Sequence, residues 1–137
     1  MLTNQNKKNG TAFERWLAFE LHKHGFWAHL VAQGRDGQPV DVFAARGGHA
    51  CIIDCKDCRN DYFSFERVEE NQYYSMELWG ETGNGEGWFA LLLQEGEVWM
   101  LPFNRVARYM NIQSRMNADE IRESGTRLED WLNEDHT

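Results

Sequence analysis

Pro39-Val40-Asp41, twelve intervening residues, then Asp54-Cys55-Lys56: this stretch decides how the chain folds and what chemistry it can carry. Each half lies in an apolar, strand-like run, Val40-Asp41-Val42-Phe43-Ala44 and Cys51-Ile52-Ile53-Asp54-Cys55-Lys56. Side chains alternate faces along a strand, so Asp54 and Lys56 share one face and Cys55 points to the other. Between the runs, Arg46-Gly47-Gly48-His49 has the composition of a hairpin turn, which sets the two strands side by side. Two carboxylates and an amine brought together in this way suit a hard divalent cation, Mg2+ or Mn2+. Such cations take oxygen ligands, and Mg2+ draws only one or two carboxylates from protein. A lysine beside them can orient an attacking water or offset charge developing on a phosphate. Ordinary strand-end ion pairing is the plain alternative, because an isolated Asp-x-Lys is common by chance. The Pro-x-Asp at hairpin distance is what raises the functional reading.

Outward from this stretch the chain reads as alternating elements. Residues 11–24 predict a helix from Phe13, Trp16, Leu17 and Leu21, with capping chemistry at Asn9-Gly10-Thr11 and Gly25 closing its end. Phe26 to Val31 predicts a first strand, and Gln33-Gly34-Arg35-Asp36-Gly37 a turn cluster. Strands are expected at about 39–45 and 50–56, a polar loop at Asp57 to Tyr62, and a second helix from Phe65 to Trp79 with Val68, Gln72, Met76 and Trp79 on one stripe. Gly80 to Gly87 is a Gly- and Glu-rich loop. Strands follow at about 88–94 and 97–101, then short helices near Asn104–Met110 and Ala118–Asn133. The sum is an α/β sandwich, a mixed central sheet flanked by helices. One domain over residues 1–137, with a helical tail from about 104, is the expected organisation.

At 42% hydrophobic and 26% charged residues the chain is globular, and most of its six Trp and eight Phe are expected in the core. No apolar run approaches the roughly 20 residues a membrane helix needs, and residues 1–8 have no apolar segment of the signal-peptide kind. A cytoplasmic location is expected. The net charge of −8 argues against a simple nucleic-acid binder, yet it is unevenly spread. Residues 1–60 hold eight Lys and Arg against six Asp and Glu, a net +2; residues 61–137 hold six against sixteen, a net −10. The half with the candidate site is the basic half.

His49, Cys51, Cys55 and Cys58 invite a zinc reading, but a single Cys-x-x-Cys is half a motif, and Cys51, Ile53 and Cys55 share one strand face as core residues do. Glu14 lies at the edge of the first helix's apolar stripe, in line with Leu17, Ala18 and Leu21; it is either a solvated flank residue or a carboxylate directed at the sheet. Gln72 is polar on an apolar stripe, and a buried amide there ordinarily satisfies backbone groups. Arg15, Lys7, Lys8 and Arg35 are candidates for phosphate contact, with solvated surface charge as the simpler account of the two lysines.

Taken in order, several segments resemble the PD-(D/E)xK nuclease superfamily. They are Gly10-Thr11-Ala12-Phe13-Glu14-Arg15 opening a helix, Gly25-Phe26 ending it, Pro39-Val40-Asp41, Ile53-Asp54-Cys55-Lys56, and Glu70-Asn71-Gln72 on the next helix. Within it the chain is similar to the Holliday junction resolvases, of the archaeal Hjc type and the bacterial RecU type, from about Gly10 to about Phe103; Leu101-Pro102-Phe103 is similar to the RecU ending. The resemblance implies a restriction-endonuclease-like core and a Mg2+-dependent endodeoxyribonuclease, with four-way DNA junctions as substrate and a homodimer as the working form. It assigns Asp41, Asp54, Glu14 and the Cys55 backbone carbonyl to the metal, Lys56 to the water, and Gln72 to its support, with Glu20 as the fallback for Glu14. The segment from Glu14 to Asp41 is too short for the basic insertion of the RecU type, and the surface is more acidic than a junction binder's. These departures keep two alternatives open: a repair or restriction-like nuclease acting on flaps or duplex, and a non-catalytic interaction module on the same fold.

Overall fold

Thr11 starts the first helix by a reciprocal pair of hydrogen bonds: its hydroxyl accepts from the Glu14 N–H at 3.1 Å, and its own N–H donates to Glu14 Oε2 at 3.2 Å. The structure, a computed structural model, describes residues 11–32 and 38–134. Helix α1 (Ala12–Lys23) buries Glu14, Leu17, Ala18 and Leu21, a stripe at three- and four-residue steps. Its expected member Trp16 is instead 43% exposed.

After α1 come strands β1 (Trp27–Leu30), β2 (Val42–Arg46) and β3 (His49–Cys58). The turn between β2 and β3 places Gly47 at φ 60° and Gly48 at φ 84°, the two positive values that suit a tight hairpin to the twist of its strands. Strands β5 (Trp88–Leu93) and β6 (Val98–Pro102) form a second hairpin. The six-stranded sheet runs β1-β2-β3-β5-β6-β8, with β8 the short edge Thr126–Arg127. Among the described strands only β3 and β5 pair in parallel, because an intervening helix, α2 (Glu70–Glu81), carries the chain back to the starting end. Every other pairing is antiparallel, so the sheet is mixed as expected.

Helices cover both faces. On one, Met76 of α2, Val106 of α3 (Phe103–Met110) and Ile121 of α4 (Ala118–Ser124) pack on Ile52, Phe89, Leu91 and Leu101. On the other, Leu17 and Leu21 of α1 and Leu128, Trp131 and Leu132 of α5 (Leu128–Leu132) pack on Val42, Ile53, Ala90 and Met100.

The differences from the expected elements share one cause. The second helix begins at Glu70, not Phe65. Upstream of it, Tyr62–Ser64 forms β4, which pairs with β7 (Arg115–Asn117), and a 3-10 turn spans Phe65–Arg67. Phe63 is fully buried there. The expected polar loop at Asp57 to Tyr62 is likewise shortened, since β3 continues to Cys58. Likewise the expected helix at Ala118–Asn133 is two, α4 and α5, parted by Gly125 and β8. Pairing with a strand distant in sequence overrides local periodicity in each place.

Gly125 sits in extended backbone so close to the sheet that a Cβ would meet Leu101 Cδ1 at 2.7 Å, Ile121 O at 3.0 Å and Met100 O at 3.1 Å. Two of these are backbone atoms that cannot turn aside. Gly125→Ala is therefore expected to cost about 1–3 kcal/mol by overpacking, read as a lower urea midpoint at unchanged slope.

Candidate active site

Strand β3 changes neighbours at Ile53, which faces Val42 of β2 on one side and Trp88 of β5 on the other. Beyond it β3 pairs only with β5, and its opposite edge is left without a strand. Backbone groups at such a fork need other partners. Asp41, the residue before β2, supplies one: its N–H donates to Ile53 O at 3.1 Å, and its Oδ2 accepts from the Cys55 N–H at 2.6 Å. The other oxygen, Oδ1, accepts from the Gln38 side-chain amide. Asp41 is thus buried and held at both oxygens. In a strand a residue's N–H and C=O leave by the same edge, so the Cys55 carbonyl opens onto the same fork.

Asp54 and Lys56 point together to the α2 face. Lys56 Nζ lies 3.2 Å from Asp54 Oδ2 and donates to Gln72 Oε1 at 3.1 Å. Gln72, in the first turn of α2, also accepts the Glu69 N–H at 3.2 Å on that oxygen, which fixes the amide. Both Asp54 oxygens are buried and make no hydrogen bond among the described residues; the contact with Lys56 is an ion pair without hydrogen-bond alignment. Burial first, then the Asp41 carboxylate, push the Asp54 carboxyl well above its ordinary value, against the pull of Lys56. Burial and then Asp41 also raise Glu14, opposed by the Thr11 hydrogen bonds and by Lys56. The Cys55 thiol, buried among them, is pushed up by burial and by Asp41, Asp54 and Glu14 together.

Three carboxylates against one lysine, with one buried Asp54 oxygen ion-paired to that lysine and the other without a hydrogen bond among the described residues, form a site deficient in positive charge. Buried carboxylate oxygens without partners are rare and call for a counter-charge. A hard divalent cation would fit that need, with Asp41, Asp54 and the Cys55 carbonyl as the oxygen atoms that could hold it. Among the described residues no three His, Cys, Asp or Glu side chains stand as a ready ligand set. Glu14 Oε2 accepts the Thr11 N–H at the cap of α1. One or two carboxylates suffice for Mg2+.

Of the remaining candidates, Glu20 pairs with Lys23 at 3.0 Å, whereas Glu14 is buried and lines a cleft together with Cys55. Arg15 is half-buried next to it on α1. Lys7, Lys8 and Arg35 lie outside the described residues. Cys51 and Cys55 face the α1 side and Cys58 the α2 side, so the sheet divides them, and His49 is exposed at the hairpin. Gln38, which orients Asp41, escaped sequence reasoning, while Thr11 reads as capping chemistry without its hold on Glu14. Thr11-x-x-Glu14 carries the capping-box signature that would have found that hold. Asn71 on α2 donates to the Gln38 carbonyl at 3.3 Å and braces it.

Sheet order, flanking helices and a fork that gathers carboxylates around one lysine belong to the restriction-endonuclease-like nucleases. Comparison with known proteins narrows the class. A family model described as archaeal Holliday junction resolvase (Hjc) matches residues 5–137, and the chain belongs to that family. It is a Holliday junction resolvase nuclease, an enzyme that hydrolyses DNA. The fold is similar to that of Archaeoglobus fulgidus Hjc, a Holliday junction resolvase from an archaeal hyperthermophile. The TM-score is 0.68 at 21% identity, covering 90% of this chain and 100% of that one. No curated protein matches the chain. No helix among the described residues is long and apolar enough to cross a membrane.

The raised Asp54 carboxyl sets a pH dependence of stability in the metal-free protein. With its folded value above the ordinary 3.8, the folded state binds the proton more tightly than the unfolded one, and stability falls as pH rises through that window. Asp54→Asn carries no such penalty. In chelator, the stability of Asp54→Asn relative to the parent should rise from pH 4 to pH 8, measured by urea midpoints. A constant difference would mean that Asp54 ionises there at no cost.

Proposed function

We propose that the chain is a Mg2+-dependent resolvase that cuts four-way DNA junctions as a homodimer, with Mn2+ able to substitute. The supporting observation is Asp54, whose two buried oxygens make no hydrogen bond among the described residues at a strand fork shared with Asp41 and Lys56. Asp41, Asp54 and the Cys55 carbonyl would hold the cation, and Glu14 would join by giving up part of its helix-cap role. The cation would supply positive charge against the charge that develops on the phosphate oxygens during displacement.

The chain's own residues do the rest. Lys56, fixed between Gln72 and Asp54, presents an ammonium whose remaining protons orient the attacking water or a phosphate oxygen. The water oxygen bonds to phosphorus as the bond to the 3' oxygen breaks. One water proton ends on that oxygen, leaving a 5'-phosphate and a 3'-hydroxyl. Gln72 holds the lysine, and Gln38 holds Asp41. Arg15, with Lys7, Lys8 and Arg35, would contact flanking phosphates. A net charge of −8 requires such residues to be concentrated at the DNA face.

A four-way junction is two-fold symmetric in outline, so a C2 dimer presenting two sites makes paired cuts economically. Exposed Tyr74 and Leu78 on α2, and Trp27 on the edge strand β1, are apolar area that pairing would cover. The whole of residues 1–137 is proposed to act as one nuclease domain.

On labelled four-way junctions, Asp54→Asn should abolish Mg2+-dependent cleavage. Lys56→Ala should lower the single-turnover rate constant at saturating enzyme on the order of a hundredfold, because its charge acts mainly in the transition state. Undiminished cleavage by Asp54→Asn would sink the site assignment, and a Lys56→Ala defect confined to binding would make the lysine a phosphate anchor. Equal cutting of flap and linear duplex would favour the repair or restriction-like alternative. Light scattering should give the mass of two chains; a monomer would overturn the dimer.

A further inference from the structure

Beside the candidate site, on the α1 face of the sheet, a cleft of about 410 Å3 lies between the first turn of α1 and the β5–β6 turn. Such a volume is in the range of small-ligand sites. Glu14 and Cys55 line it, so it opens directly onto the carboxylate cluster. Phe13 and Trp16 form one wall, with ring centroids 6.3 Å apart and planes 26° from parallel, while Leu92 and Val98 add apolar surface. Trp16 belongs to neither core cluster and leaves 43% of its surface exposed, a flat apolar plane turned outward within reach of the site.

The rim carries two arginines held by Asp57. Arg59 is tied through Nε and Nη2 to the Asp57 carboxylate at 2.6–3.0 Å, while its Nη1 makes no hydrogen bond among the described residues. Arg67 is tied by Nη1 to the Asp57 carbonyl at 2.8 Å. Two guanidiniums so fixed are ready for phosphate oxygens without a large loss of side-chain freedom.

We propose that this cleft is a base-holding subsite, taking one base of the junction strand next to the scissile phosphate, unstacked from the DNA and laid against Trp16. It rests on the reading of the chain as a junction-cleaving nuclease and adds what part of the DNA is gripped. An aromatic plane accepts any base, because every base has a π-face, and Arg59 and Arg67 would take the phosphates on either side of the extruded nucleotide. Extrusion costs least where pairing or stacking is already interrupted, as it is at a branch point. The subsite therefore favours junction over continuous duplex. It also gives an acidic chain a grip that does not depend on charge alone.

The test is a binding cycle with the full chain in chelator, where cleavage does not intervene. Abasic nucleotides are placed one at a time around the branch point of a four-way junction. On the intact junction, Trp16→Ala and Trp16→Leu should each weaken binding roughly tenfold, and Trp16→Phe should retain most of it. At one abasic position the parent should lose the same factor, and Trp16→Ala should then add no further loss. Arg59→Gln should weaken intact and abasic junctions alike and reduce the salt slope by about one. The proposal is overturned if Trp16→Ala leaves binding unchanged, or if its loss is the same on the intact junction and at every abasic position. A failure of the nuclease reading shows separately, as absence of Mg2+-dependent cleavage by the parent.

Discussion

The hydrogen bond from the Cys55 N–H to Asp41 Oδ2, at 2.6 Å, is the interaction on which the site is built. Two strands that part leave ladder groups unpaired, and buried backbone groups do not tolerate that state. A carboxylate placed one residue before β2 satisfies the amide and in the same act enters the space between the strands. Pro39, with no N–H to offer a ladder, lies just upstream where the chain leaves the sheet. On its other edge β3 pairs in parallel with β5 from Ile53 to Cys58, so the half of β3 that β2 leaves is still held in the sheet while its free edge faces Asp41.

Helices complete the site by the same economy. Glu14 and Gln72 each stand in the first turn of their helix and reach back to the amide that precedes it, Glu14 to Thr11 and Gln72 to Glu69. A helix start has N–H groups that want acceptors, and side chains that serve them are held in one rotamer. Gln72 also accepts from Lys56, and Glu14 is buried near enough for the Asp41 charge to raise its carboxyl. Order at the site is therefore inherited from helix capping, without further elements to support it.

Electrostatics set the balance. Asp54 is buried with no hydrogen bond among the described residues, its carboxyl pushed up by burial and by Asp41, and one lysine does not offset that cost. A protein keeps so unfavourable an arrangement where it serves chemistry rather than stability. The wider charge distribution follows the same division, since the acidic excess lies in residues 61–137 and the site in the more basic half.

Much of this was legible in the sequence. Asp41, Asp54 and Lys56 could be paired because a two-residue Gly-Gly turn fixes hairpin register and strand alternation fixes faces, and both are local rules. The mixed sheet followed from the order of elements. Glu14 over Glu20 was undecided, because periodicity places both beside the apolar stripe; the tertiary structure separates them by pairing Glu20 with Lys23 and burying Glu14. The β4–β7 pair, the break at Gly125 and the exposure of Trp16 were likewise invisible. Each depends on what lies across space from the residue: Arg115–Asn117 opposite Tyr62–Ser64, Leu101 and Met100 against Gly125, an open cleft beside Trp16. The sequence by itself determined which residues share a strand, a face or a helix turn, since those relations span only a few residues of backbone. Which of them are buried, partnered or left open was decided only by packing between segments far apart in the chain.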